Sequence, residues 1–483
     1  MSISAALSNA VSGLTAVSRS AELVSANVAN AMTEGYGRRE LNLGANVVGG
    51  QGAGVTVIGI DRAVNEAALS DRRLSDAALG FHQSHAAFFS EMERTIGSPE
   101  LEGSLSAHFA RFDQSLIVAA GDPSSETKLA SVLDTSISLA AKFNAISEKL
   151  QAERQHADTT IGKQVTQANQ ALEDIHSLNL QIRHQLVSGG SAAGLMDQRQ
   201  VAIDQVAELL PIRSVQREYG QVALVTLNGS TLVDYSHARF EFQVTPTITP
   251  DSTLASGALS GLVISGGSSS NGSALEAVAG GALAASFALR DQEIPALQDN
   301  IDALALDLAQ RASGADAALA PGLAGLFSDV GGIEATVTDV LGLAGRLQVN
   351  PAVDPANGGQ LWRIRDGATA VVAGPASDRT LLNALSSSVT GQSQPVSGTF
   401  NSAGSISELL GGFLSDVGQS RQSALTRQGF QAAQSQAFRD LELEGGVDTD
   451  QEMQKLLLIE QNFSANAKVI QAMDEMLQSI LRI

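Results

Sequence analysis

The 483-residue chain contains no cysteine, which removes disulfides, thiolate metal sites and cysteine nucleophiles together. A chain of this kind passes between reducing and oxidising compartments without redox consequence. Basic residues are also scarce: 30 Lys and Arg stand against 51 Asp and Glu, a formal charge of −21. That balance favours solubility and argues against nucleic acid as a partner. Aromatic residues are few, and the single Trp362 and the tyrosines read as packing or turn residues because no aromatic-plus-basic groove accompanies them. The opening stretch MSISAALSNAVSGLTAVS has no charge, no basic n-region and no continuous apolar run, so the expectation is a chain exported, if at all, without a cleavable secretory signal. The longest uncharged stretch, Leu41 to Ile60, is glycine-rich and broken by Asn42, Asn46, Gln51 and Thr56. It does not make a bilayer-spanning helix, and no membrane partner is expected.

Catalytic arrangements are lacking too. Gly49, Gly50, Gly52 and Gly54 do not complete G-x-G-x-x-G and precede a strand instead of following one, so the run reads as a turn. Ser125 and Lys128 match S-x-x-K without the partner motifs that chemistry requires, at a place where a helix start is expected. His82 and His85 could reach one metal from a helix, but no third ligand falls at a suitable spacing. Asp448, Asp450 and Glu452 lack the register and glycine of a calcium loop and read as carboxylates favoured at a helix N-terminus. The expected sets of catalytic, cofactor-binding and metal-ligating residues are therefore empty, and the chain is read as a non-enzyme.

What is present is a seam at each end. Ile3, Ala10, Val17 and Val24 recur every seven residues, with Leu7, Leu14, Ala21 and Val28 as a second series offset by four. Near the other terminus Leu456, Phe463, Ile470 and Leu477 repeat by seven, followed three residues behind by Ile459, Asn466, Met473 and Ile480. These are the two core positions of a heptad seam. The face opposite the first seam is Ser, Asn, Thr and Ala, with Gly13 inside it, so isolated helicity is poor and the segment needs covering surfaces to fold. Two readings stay open: one intramolecular two-helix coiled coil, or a helix pair whose outer faces pack against identical pairs. Asn466, polar at a core position, fits a register-setting role. The first helix ends where Gly35 can take the left-handed conformation of a C-cap, with Tyr36 folding back over the last turn. Leu41/Leu43 and Val55/Val57 alternate around the glycine-rich loop as a hairpin or extended connector. Thr449 with Glu452 reads as a capping box opening the last helix.

At this length two to four domains are expected, each able to bury a core. From Asp61 to Leu210 apolar residues recur at helical spacing, with breaks at GSPELEG, GDPSS and SGGSAAG. After Pro211, β-branched alternation around an Asn228-Gly229 turn marks strands. A flexible loop is expected at Gly266 to Ser273, then helix again, with Pro295 as a kink or a first turn. Ala335 to Ala373 reads as strand-like, and a last bundle helix runs from about Ser405 to Glu444. The expected class is mainly α with a β insertion: a terminal coiled coil (1–38 and 447–483), a connector (39–60), a long helical bundle (61–210, 280–314 and 405–446) and an outward β-rich region (211–279 and 315–404).

The stretches SANVANAMTEGYGRR and GVDTDQEMQKLLLIEQNFSANAKVIQAMDEMLQSIL, with GDPSSETKLASVL, IHSLNLQI, GLMDQRQVAIDQVAELL and LQVNPAVDPANGGQLWRIRDG between them, resemble the first hook-filament junction proteins of the bacterial flagellum, the hook-associated protein 1 family. The resemblance covers essentially the whole chain, although the middle is shorter and richer in Ala and Gly than is usual there. It implies a structural subunit joining hook to filament, a ring-shaped homo-oligomer contacting the flagellar hook protein and the second hook-filament junction protein. It also implies flagellar type III export to an extracellular location, with a cytoplasmic export chaperone on the C-terminal helix. Asn27, Asn30, Gly35 and Tyr36 fall in the signature shared by axial proteins. The alternatives are another axial protein such as a hook or rod subunit, or a secreted adhesin or wall-active enzyme carried on axial-protein termini.

Overall fold

The computed structural model describes residues 3–48, 51–266, 273–400 and 402–482. Gly49 and Gly50, and most of the Gly/Ser-rich stretch after Gly266, lie outside the described residues. Helix α1 (Ile3–Ala29) leads into an antiparallel hairpin of β1 (Arg38–Val48) and β2 (Gln51–Ala63). Four helices follow: α2 (Glu66–Ile96), α3 (Leu105–Gly121), α4 (Glu126–Val187) and α5 (Ala193–Leu209). Local chemistry sets their ends. The Asn65 side chain accepts from Ala68 N to open α2, Ser104 does the same from Ala107 N for α3, and Gly97 ends α2 with a positive φ of 87°.

Strands β3 (Ile212–Gln216), β4 (Val222–Thr226) and β5 (Thr231–Val233) form a three-stranded antiparallel sheet, and β6 (Arg239–Glu241) pairs with β7 (Val263–Ser265). Helices α6 (Ala274–Ala277), α7 (Ala282–Ala288) and α8 (Ile294–Ala315) come next. A π turn over Leu289–Glu293 joins the last two, so Pro295 sits in the first turn of α8 just after the backbone bonding has changed register. The remaining elements are β8 (Phe327–Ser328), β9 (Gln348–Val349), α9 (Arg363–Asp366), α10 (Thr380–Thr390), α11 (Ile406–Glu444) and α12 (Thr449–Leu481). Helix α11 opens with a capping box between Ser405 and Glu408.

The 62 residues of α4 extend about 93 Å at 1.5 Å per residue, and two cores form along it. One gathers Met92, Phe112, Leu139, Phe143 and Ile301 from α2, α3, the first half of α4 and α8, with α10 and α11 closing over them. The other joins the second half of α4 and α5 to the small sheets and α7 through Ile161, Ile175, Val206, Leu224 and Phe287. Two asparagines of α4 act as strand edges toward the sheets. Asn179 donates to Val222 O (2.8 Å) and accepts from Val222 N (3.1 Å), and Asn169 does the same with Phe240 N and O at 2.8 Å. Between the cores the fully buried Arg290 pairs with the equally buried Asp158 at 2.6 Å.

The chain is thus mainly helical with small sheets. The strand-like stretch Ala335–Ala373 is the main departure from the sequence pattern. It holds only β9, with the short helix α9 and a series of 3-10 turns. Asn350 and Asp354 each accept from the backbone N–H two residues ahead, directly before Pro351 and Pro355, so turn chemistry overrides the strand-like pattern.

Candidate assembly site: the terminal helix pair and its collar

Helices α1 and α12 run antiparallel, since Gly13 faces Asn466 while Asn27 bonds Glu452. At the first contact a Cβ on Gly13 would lie 3.0 Å from the Asn466 amide nitrogen, so glycine is what lets a polar side chain enter the seam. Among the seam residues, Ala10 and Val24 are buried, and Leu7, Leu14, Val17, Ala21, Ile459, Asn466, Ile470 and Met473 are half-buried. Val28, Leu456, Phe463, Leu477 and Ile480 are exposed, Phe463 by 46%. The side chain of Ile3 lies outside the described residues. The polar face of α1 is partly covered within the chain: Ser12 Oγ accepts from Val55 N of β2 at 3.2 Å, and Ala16, one turn further on that face, is buried. The amide oxygen of Asn9 on the same helix is buried without a hydrogen-bond partner among the described residues.

The signature residues meet at the base of the pair. Asn27 is 1% exposed and uses its whole hydrogen-bonding capacity. Its Nδ2 donates to Arg39 O and to Glu452 Oε2, both at 3.0 Å, while Oδ1 accepts from Tyr36 Oη (2.9 Å) and Arg39 N (3.0 Å). One amide thereby ties α1, β1 and α12 together. Asn30 stiffens the loop after α1, donating to Ala26 O (2.9 Å) and accepting from Thr33 Oγ1 (3.2 Å). Gly35 has a φ of +76°, and a Cβ there would come within 2.6 Å of Val201 on α5. The Tyr36 ring lies under the Arg39 guanidinium at 4.9 Å. Burial pushes its phenol up from the ordinary range, against the opposing pull of Arg39.

The capping box expected of Thr449 and Glu452 is replaced. Asp448 is the N-cap, its Oδ1 accepting from Asp450 N (2.9 Å) and Gln451 N (3.1 Å). A carboxylate satisfies those donors alone, so Glu452 turns inward, 1% exposed, with Lys455 Nζ at 2.6 Å and Asn27 on its other oxygen.

Around this node runs a collar of ion pairs that sequence reasoning did not find. Asp197 of α5 accepts from Gly37 N (3.0 Å), Arg39 Nη2 (3.0 Å) and Arg62 Nε (2.7 Å). Arg62 also donates to Gly35 O at 3.0 Å and to Gln200. Gln200 reaches Glu442 of α11 at 3.2 Å, and Glu442 pairs with Arg72 at 2.6 Å. Arg72 joins Asp76 and Asp204, and Ser435 closes onto Asp76. The terminal pair, hairpin and bundle therefore share one polar network, whose members span the chain from residue 27 to residue 452. His85, by contrast, stacks on Phe81 at 4.5 Å with Nδ1 3.0 Å from Phe81 O. Among the described residues no group of three His, Asp or Glu side chains stands where it could hold a metal ion, and no helix is long and apolar enough to cross a membrane.

Residues 444–483 match the family described as flagellar basal body rod FlgEFG protein C-terminal. Residues 89–318 match the narrower flagellar hook-associated protein FlgK helical domain. Over these residues the chain is similar to flagellar hook-associated proteins. It is 26% identical over 220 residues to the flagellar hook-associated protein 1 of Bacillus subtilis (strain 168), covering 43% of each chain. It is likewise 26% identical over 251 residues to that of Salmonella typhimurium, covering 49% of this chain and 44% of the relative. The match spans less than half the length of these curated relatives. The solved flagellar hook junction protein FlgK from Burkholderia pseudomallei aligns at 20% identity and a TM-score of 0.44, covering 54% of this chain and 46% of that one.

Proposed function

We propose that the chain is a structural subunit of the bacterial flagellum at the junction of hook and filament, assembling as a ring through α1 and α12. The reading rests on one observation: α12 carries a heptad seam that a single α1 leaves partly unfilled, with Leu456, Phe463, Leu477 and Ile480 exposed. Apolar surface of that regularity gains free energy only when further helices cover it. The buried, unpartnered acceptor on Asn9 points the same way, since buried polar atoms are nearly always paired in a complete structure. In this reading the chain is no enzyme. It meets hook protein on one side and the second junction protein on the other, and a cytoplasmic chaperone covers α12 before flagellar type III export to the cell exterior. The bundle and the small sheets are the body that the terminal pair anchors.

Electron microscopy of cells lacking the chain tests this. Bare hooks with filament subunits in the medium are expected, whereas attached filaments in those cells would refute the reading. A chain lacking residues 1–35 and 447–483 should fail to restore attachment.

A further inference from the structure

We propose that the loop after α1 is a knob by which one copy of the chain docks onto the next, and that the cleft between α1, β1 and α12 is its socket. The proposal rests on the ring reading above and names the contact that would build it.

Met32 is 98% exposed, yet its loop is tied down on both sides. Asn30 bonds back to Ala26 O at 2.9 Å, Thr33 N donates to Asn30 O at 2.9 Å, Tyr36 N to Thr33 O at 3.2 Å, and Arg62 holds Gly35 O at 3.0 Å. A long apolar side chain is thus presented to solvent on a fixed support, with Glu34 exposed beside it. Methionine suits such a role because its flexible thioether adapts to irregular pockets.

The cleft, about 350 Å³, has an apolar wall of Leu23, Val24, Leu41, Leu458 and Ile459, and its charged lining is Arg39, Glu40, Glu452 and Lys455. Leu458 is 59% exposed there. Lys455 has one carboxylate, Glu452, at 2.6 Å, and an ammonium carries three donors, so it can receive a second acid. Socket and knob are therefore matched in both respects, apolar wall to Met32 and Lys455 to Glu34. Being almost wholly exposed, Met32 does not occupy its own chain's cleft, so the occupant is the Met32 of another copy. Knob and socket are different patches of one surface. Their contact is head-to-tail, which propagates around a ring when the rotation closes.

Because the chain has no cysteine, two introduced thiols report on one contact. A chain carrying Met32→Cys and Leu458→Cys, replacing the native one in motile cells and treated with a mild oxidant, should give a ladder of disulfide-linked multimers on non-reducing gels. Bridging requires the two Cα atoms to approach within about 7 Å. Neither single variant should give the ladder. Both sites are exposed in the monomer, and a second arm avoids thiols altogether: Met32→Asp should lower the fraction of hooks bearing filaments at least tenfold, and Met32→Leu should leave it unchanged. Normal filament attachment by the double-cysteine chain without multimers, or by Met32→Asp, overturns the knob and socket while leaving the ring intact. Filament attachment in cells with no chain at all overturns the ring and this contact together.

Discussion

The helical bundle and the terminal pair use the same kinds of residue in opposite ways. In the bundle, Phe112 is fully buried with its ring edge against Phe327 at a centroid distance of 5.5 Å, and α2, α3, α4 and α8 leave little of their apolar stripes in water. In the terminal pair the corresponding stripe of α12 stays largely exposed, although the heptads are more regular than anything in the bundle. Regular patterning therefore does not by itself report burial in one chain. It reports the number of surfaces a helix is built to meet, and beyond its base α12 has met only α1.

The largest effect expected from this contrast compares two phenylalanines. Phe112→Ala should cost roughly 3–5 kcal/mol of the monomer's unfolding free energy, measured in urea, because a filled core site is emptied. Phe463→Ala should cost less than about 1 kcal/mol in the same monomer, since little burial is lost, yet it should abolish filament attachment in cells. Equal costs in the monomer would break the contrast by showing that the α12 seam is already closed within one chain.

A second prediction sharpens the contrast by dividing the terminal pair itself. Its base is fastened by Asn27 and Glu452, while the far half of α12 has only the seam. Glu452→Ala leaves a buried Asn27 N–H unpaired, a loss of about 1–3 kcal/mol. Hydrogen exchange in the monomer should accelerate roughly tenfold to hundredfold over residues 23–40 and 448–456, at 1.4 kcal/mol per decade. Residues 460–481 should exchange fast in both proteins. Glu452→Gln, which keeps an acceptor for Asn27 and loses the charge facing Lys455, should fall between. Unchanged exchange at the base in the alanine variant would mean that the collar does not hold α12.

The two regions also differ in how far the sequence discloses them. Heptads announce both terminal helices and the stripes between Asp61 and Leu210 announce the bundle helices, whereas α1 stops at Ala29, six residues before the Gly35 expected to cap it. Each of these signals is local, a spacing or a turn residue. The collar is not local. Asp197 meets Arg39 and Arg62 across 158 and 135 residues, and Glu452 meets Asn27 across 425, so nothing near any one of them marks it. Glu452 was hidden further by a competing local explanation, since Thr449 and Glu452 have capping-box spacing and only the presence of Asp448 one residue earlier frees the glutamate. Around Ala335–Ala373 the local signals conflicted, and one Asn-Pro and one Asp-Pro step decided for turns over strands.

The smallest expected effect concerns a carboxylate buried in the bundle. Asp302 of α8 is 1% exposed and accepts from Gly342 N (2.7 Å), Ala344 N (2.8 Å) and Gln298 Nε2 (2.9 Å). Desolvation outweighs those three bonds, and its carboxyl is pushed up from 3.8 to about 6. The native chain therefore holds this proton between roughly pH 4 and 6 while the unfolded chain has released it. The group's contribution to stability is accordingly greatest at the acid end, falls as the pH rises through that window, and is flat above it. Asp302→Asn removes the slope. The amide turns one N–H toward Gly342 N, which costs stability at every pH and so cancels when the difference between the two proteins is followed. That difference should change by no more than about 3 kcal/mol between roughly pH 4 and pH 7, with the native protein gaining on the variant as the solution is acidified. Hydrogen exchange should locate the change at α8 and residues 337–347 and leave α12 untouched. A pH-dependent difference of the same size in α12 would instead mean that bundle and terminal pair unfold as one unit, which the contrast between them denies.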